Sequence, residues 1–352
     1  MTSHACNWEE GDSLVSVIIP MRDAAPYVCH CLESVCGQSY GNLEIIVVDD
    51  GSSDGSDTLV GDFGDPRVKL VRGEGKGAAA ARNIGLEAAK GQWIQFLDAD
   101  DVLEKDKIRT QLALLARSGG GIAACKWCHF RHEPGDLGCL PEPDWAVGSG
   151  VDFLIESLSG GGMYQTACWL TSRKLIDLAG LWNEELSLHD DGEFFARVLV
   201  HAPMVQVHPA VGVHYRKVAG SLSSRRNSRS ARSALSVCKL RGDALIGADG
   251  SAKAKVAVAT SLLQVAYEFQ ESTPDVANEA LACLQDIGAT PLPIVGGALF
   301  RWATRLCGAT RAMQARGFCK GIIQALRRVG GTPGPHEPPA EPPPGGPTGC
   351  PR

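Results

Sequence analysis

Short β-branched runs alternate with longer amphipathic stretches over the first hundred residues. Val15–Ile19 (VSVII) predicts a strand that stops at a turn at Pro20. Ala24–Gln38 places Val28, Leu32, Val35 and Cys36 at helical spacing, with Pro26 near its start. Glu44–Val48 (EIIVV) predicts a second buried strand, ending in the polar loop Asp49–Gly55, rich in turn and N-cap residues. A short helix to Phe63 and a strand at Val68–Val71 follow. An alanine-rich helix then runs from Gly77 to a stop at Gly91. Trp93–Leu97 opens a stretch reading WIQFLDADD, a fourth strand that delivers Asp98, Asp100 and Asp101 to its end, with a helical start expected over Val102–Lys107. Strands alternating with helices predict a doubly wound parallel sheet, and ligands bind such sheets at the carboxyl ends of the strands. Pro20–Asp23, Asp49–Asp54 and Asp98–Asp101 all lie at those ends, so three polar loops converge on one rim.

The second half is less regular. Ile122–Phe130 predicts a strand, Val151–Ser157 and Arg173–Ala179 predict helices, and Ser159–Met163 reads as a flexible loop leading into Tyr164–Leu170. Leu181–Val200 ends in a helix that buries Phe194, Phe195, Val198 and Leu199 and carries Asp190, Asp191 and Glu193 in its first turn. Glu193 and Arg197 are spaced to pair along it. Ser221–Arg241 is a basic linker running into a helix, and Lys253–Glu271 with Ser272–Asp286 forms a helical pair broken near Pro274. Residues 297–328 interleave Leu299, Trp302, Leu306, Phe318 and Ile322 with seven basic residues and no acid. Such a helix lies on an anionic membrane surface or packs on the domain before it. The Pro/Gly-rich tail at 330–352 is expected to be disordered.

The chain has 352 residues, 44% apolar and 21% charged, enough for one large domain or two smaller ones. A net charge of −6 argues against a nucleic-acid partner. The start, MTSHACNWEEGDS, lacks a basic region and an apolar core, so no secretory signal is expected. No apolar run reaches the ~18 residues of a membrane span. The expected location is cytoplasmic, with a peripheral place on the inner face of the membrane open through 297–328. Thirteen cysteines without a framework spacing read as reduced, mostly buried thiols. Cys125, Cys128, His129, His132 and Cys139 form a weak zinc candidate, because a strand there points Cys125 and Cys128 to opposite faces.

Carboxylates crowded at a strand end need a neutralising cation. Hard divalent ions take one or two carboxylates plus substrate phosphates, which makes Asp98–Asp101 a candidate metal–diphosphate site. The plainer alternative is an acid cluster before a helix. Gly73, Gly75 and Gly77 allow close backbone approach to a ligand beside Arg82 and Asn83. They are not a dinucleotide fingerprint, whose glycines directly follow the first strand.

The ordered motifs VSVIIPMRDAAPYV, EIIVVDDGSSDGS and GKGAAAARNIGLEAAKGQWIQFLDADD resemble the family 2 glycosyltransferases of the GT-A fold over 14–117, and the resemblance resumes at 162–225. It implies an α/β fold, a GT-A-type doubly wound, mostly parallel sheet flanked by helices with a C-terminal helical extension. The implied division is a tail at 1–13, a glycosyltransferase domain at 14–225 (nucleotide-sugar half 14–117, acceptor half 118–225), a helical region at 226–329 and the tail at 330–352. It implies sugar transfer with inversion from a nucleotide-diphosphate donor, foremost a UDP-sugar, to a saccharide, lipid-linked or other hydroxyl acceptor, with Mn²⁺ or Mg²⁺. Asp50 would accept from the base, with Pro20 and Arg22 beside it. Arg82 would sit near the sugar or diphosphate. Asp98 would contact the ribose, orient a basic neighbour or share the metal, and Asp100 would ligate it. Asp191 would be the general base, with Asp190 where the family has Glu. Arg216 would close over the diphosphate; Trp145, Tyr164 and Trp169 are candidates to stack on an acceptor sugar, with a core place equally open to Trp169. His189, His201, His208 and His214 read as surface or packing residues. The rivals are a catalytically degenerate nucleotide-binding or membrane-associated scaffold and a sugar nucleotidyltransferase, which would need a basic glycine loop where IIPMRD stands.

Overall fold

A computed structural model describes residues 13–118, 121–137, 139, 148–162, 164–186, 188–218 and 228–289. The N-terminal tail, Trp145, 221–227, the basic segment 297–328 and the tail 330–352 lie outside the described residues.

Strands β1 (Val15–Met21), β2 (Leu43–Asp49), β3 (Val68–Arg72) and β4 (Trp93–Phe96) lie parallel, β1 between β2 and β4 and β3 beyond β2. Every residue of β1, β2 and β4 is buried, which explains why they read as continuous apolar runs rather than alternating ones. Helices α1 (Val28–Cys36), α2 (Ser56–Gly61) and α3 (Ala78–Ala88) make the crossovers. Close packing of α3 on β1 depends on Gly85, where a Cβ would stand 2.3 Å from Ile18 Cγ2.

The sheet continues through β5 (Val102–Leu103), β6 (Ile122–Phe130), β7 (Leu170–Ser172) and β8 (Val205–Arg216), in the order β3-β2-β1-β4-β7-β6-β8-β5. Strand β7 runs antiparallel to β4 and β6, β8 parallel to β6, and β5 antiparallel to β8. The result is one mixed eight-stranded sheet flanked by α4 (Lys107–Ser118), α5 (Gly150–Glu156), α6 (Arg173–Ala179) and α7 (Asp190–Val200). Helix α8 (Ser228–Ala248) packs against α7, followed by α9 (Ala252–Phe269) and α10 (Pro274–Ile287). Ala231, Leu235, Leu262 and Phe269 share one core with Phe194 and Leu199.

Three expectations need correcting. Strand β1 does not stop at Pro20 but runs on to Met21. Ile18 O accepts from Leu97 N on the β4 side, and Pro20 faces that same side, beyond the last residue of β4. Its missing N–H therefore removes no ladder bond. The chain after Asp101 is not a helix start: Val102 and Leu103 pair with His214 and Val213, and α4 begins only at Lys107. Nor are all the cysteines reduced. The Asp136 carboxylate accepts from the Arg131 and His132 amides and folds the chain back after β6, bringing Cys139 to Cys128 in a disulfide. Cys29 is also disulfide-bonded, whereas Cys31, Cys36, Cys125, Cys168, Cys238 and Cys283 lie outside disulfides.

Among the described residues no helix is long and apolar enough to cross a membrane, and no group of three His, Cys, Asp or Glu side chains is placed to hold a metal by itself.

Candidate active site

The three rim loops meet as the strand ends require. Asp50 follows β2, and its amide donates to Met21 O at the end of β1. Its buried carboxylate accepts from Gly75 N (2.8 Å), Lys76 N (3.2 Å) and Gly77 N (2.7 Å). The glycine loop is thus wrapped on Asp50, and a Cβ on Gly73 would stand 2.9 Å from Asp50 Oδ1. Asp23, at φ 48°, accepts from Ser53 N, and Ala25 N donates to Asp54, so the loops after β1 and β2 are interlocked. Pro20 is buried and Arg22 is exposed on this rim.

Arg82 is the centre of the site. It lies in the first turns of α3, 5% exposed, and its guanidinium donates to Asp98 Oδ1 at 2.8 Å and Asp190 Oδ2 at 2.9 Å. The guanidinium carbon sits 4.5 Å from the centroid of the Trp182 ring, a cation–π contact that holds the fork between the acids. Asn83 fastens the same loop by exchanging hydrogen bonds with the Trp182 backbone and donating to Glu184. Acids from the end of β4 and the start of α7 are thereby brought to one cation.

Asp100 and Asp101 differ in environment. Burial and the neighbouring Asp98 push the Asp100 carboxyl up to about 6. Asp101 is fully buried; its Oδ1 accepts the Arg216 amide at 2.9 Å, and burial, with Asp100 beside it, raises it well above the usual range. It ties the end of β4 to β8 rather than capping a helix. Arg216 is tied down as well: it donates to the carbonyls of Asp100 (2.8 Å) and Arg131 (2.8 Å) and lies against the rings of Tyr27 and Phe130. Its charge supports the backbone under the acid cluster.

Asp191 opens α7 behind His189, which adopts a left-handed φ of 59°. Its Oδ1 accepts from Gly192 N at 2.7 Å, and burial together with Asp190 raises its carboxyl above the usual range. Glu193 and Arg197 pair at 2.6 Å, as their spacing predicts. His214 pairs with Glu104 at 2.6 Å. Tyr164 and Trp169 are 2% and 1% exposed and pack with Phe153 and Phe195, so neither is available to stack on a sugar. The structural roles of Trp182, Glu184 and Arg241 carry no signal in the sequence, since each depends on a partner far along the chain.

Asp98 and Asp100 offer hard oxygen donors; among the described residues Arg82 is the cation that pairs with Asp98, and Asp100 makes no salt bridge, which fits a divalent ion completed by ligand oxygens.

Known proteins resemble this chain in sequence and in fold. Residues 16–177 match the family model described as glycosyl transferase family 2. Glycosyltransferase GlyG of Streptococcus pneumoniae is 32% identical over 149 residues, 42% of this chain and 47% of that protein. UDP-Glc:alpha-D-GlcNAc-diphosphoundecaprenol beta-1,3-glucosyltransferase WfgD of Escherichia coli is 41% identical over 108 residues, 30% of this chain and 43% of its own length. The chain thus spans under half of each of these relatives. Among solved structures, S. aureus TarS 1-349 in complex with UDP-GlcNAc superposes with a TM-score of 0.61 at 19% identity, covering 78% of this chain and 88% of that one. The mannosyltransferase PcManGT from Pyrobaculum calidifontis, in complex with GDP-Man and Mn2+, gives 0.50 at 19% identity over 90% and 86%. The fold is of the GT-A type.

Proposed function

We propose that this chain, a glycosyl transferase family 2 protein over residues 16–177, moves a sugar from a nucleotide-diphosphate donor, foremost a UDP-sugar, to an acceptor hydroxyl with inversion. The observation that carries this reading is the Arg82 bridge, which joins the acids of the donor rim to those of α7 in one site. Asp191 takes the proton of the acceptor hydroxyl as its oxygen attacks the anomeric carbon from the face opposite the diphosphate. The bond from that carbon to the diphosphate breaks, and the diphosphate leaves with the electron pair. Asp190, held by Arg82, keeps the first turn of α7 in place. Asp50 keeps one lone pair on Oδ2 beyond its bond to Gly77, with which it can accept from the donor base. Pro20 and Arg22 flank that position. Asp100, with Asp98, would hold Mn²⁺ or Mg²⁺, which when bound neutralises the departing diphosphate.

UDP is supported by the E. coli relative, named for UDP-Glc, and by the S. aureus TarS complex with UDP-GlcNAc, and a metal by the PcManGT complex with Mn2+. The acceptor named for the E. coli relative is lipid-linked, which makes a lipid-diphosphate saccharide the first to try.

The test is a thermal-shift titration with UDP, GDP, TDP and CMP, each with and without Mn²⁺. A ligand that binds only the folded chain raises Tm by mass action. UDP is expected to raise Tm only with Mn²⁺, and Asp100→Ala to abolish the metal-dependent part. Asp191→Asn should keep the UDP shift and lose transfer. Absence of a shift with every nucleotide would remove the donor site.

A further inference from the structure

Beyond the residues matched to the family, α8 contributes one cation to the inner wall of the site. Arg241 Nη2 donates to Ser157 Oγ at 2.8 Å, and Ser157 Oγ donates to Gly162 O at 2.5 Å, closing the glycine-rich turn after α5. On its other side Arg241 lies along the first turn of α7. Nη1 and Cζ stand 3.8 and 4.0 Å from where a Cβ would sit on Gly192. The Gly192 amide is the one that donates to Asp191. Arg241 Nε is buried with no hydrogen-bond partner, so the guanidinium is not saturated by its own surroundings.

We propose that Arg241 is a positioning residue for Asp191: anchored to the glycine-rich turn through Ser157, it stands as a counter-cation beside the first turn of α7. The inference rests on the reading of Asp191 as the base. The charged and titratable groups facing Asp191 are Asp190 and His189 from its own segment, Arg82 from α3 and Arg241 from α8. Arg82 is committed to Asp98 and Asp190. Among the described residues Arg241 is the other arginine beside Asp191, it makes no salt bridge to a carboxylate, and it comes from a separate element. Burial and Asp190 raise the Asp191 carboxyl, and a base must be ionised to act. Arg241 opposes that rise, and its Ser157 anchor makes the glycine-rich turn part of the same brace.

The experiment is a carboxyl ¹³C NMR titration of the full chain labelled at aspartate, with the Asp191 signal identified by its loss in Asp191→Asn. Arg241→Met is expected to move the Asp191 midpoint upward by about half a unit or more, roughly threefold in the ionised fraction on the flank of the titration. Arg241→Lys should restore most of it. An unmoved midpoint in a folded Arg241→Met chain overturns the proposal. Should that variant not fold, Ser157→Ala keeps the charge and removes its anchor; an upward shift there supports the brace, and none overturns it. Sugar transfer by Asp191→Asn at the original rate would instead sink the reading of Asp191 as the base, leaving the titration result standing.

Discussion

Arg82 neutralises acids from two parts of the chain, and its removal shows how far the site depends on it. Arg82→Met leaves Asp98 and Asp190 facing each other without a cation. Breaking a buried pair lowers stability by about 3–5 kcal/mol, and partial exposure of both acids puts this case at or below the low end, about 2–3 kcal/mol. Urea midpoints of the two chains read that loss, and an unmoved midpoint argues that the bridge does not hold the two acids together. A second buried cation behaves differently. Lys107 donates to the side-chain oxygens of Gln95 and Gln111 under the sheet, and burial lowers its ammonium to about 8. In the unfolded chain it titrates near 10.4, so between about pH 8 and 10 the unfolded state binds a proton that the native state lacks, and stability rises with pH there. Lys107→Met should flatten that rise. The acids themselves were legible in the sequence, because carboxylates bunched at strand and helix ends have nowhere else to go. Their partners were not: which cation meets Asp190 is decided by topology, as are the carbonyls of Asp100 and Arg131 to which Arg216 donates.

At the scale of elements, β-branched apolar runs marked β1 and β2, alanine content marked α3, and apolar periodicity marked α7. It failed at Val102–Leu103, since a two-residue strand owes its conformation to His214 and Val213 rather than to local propensity. It failed at Pro20 because the consequence of a missing N–H depends on where β4 ends. Packing between elements also sets sharp tolerances. A Cβ on Gly150, at the start of α5, would fall 1.9 Å from Leu199 O near the end of α7. Gly150→Ala must push α5 off α7 and should destabilise by about 1–3 kcal/mol, the range of overpacked cores. A chain that melts unchanged would mean that α5 can shift freely.

Across the whole molecule, one mixed sheet runs through both the regular first half and the irregular second half. The parallel half could be read from alternation; the antiparallel additions of β7 and β5 could not, because their partners are remote. The pairs that complete the site join distant residues: Asn83–Glu184 are 101 residues apart, Arg82–Asp190 108, His214–Glu104 110 and Arg216–Asp101 115. Synthesis runs in one direction, so residues 98–101 leave the ribosome some ninety positions ahead of Asp190, the second acid Arg82 will hold. Until then β1–β4 can zip through local crossovers, while the rim they carry waits for long loops to close. The site is therefore assembled after the parallel half that carries its first acids, and a nascent chain stalled before residue 190 holds those acids without the wall that orders them.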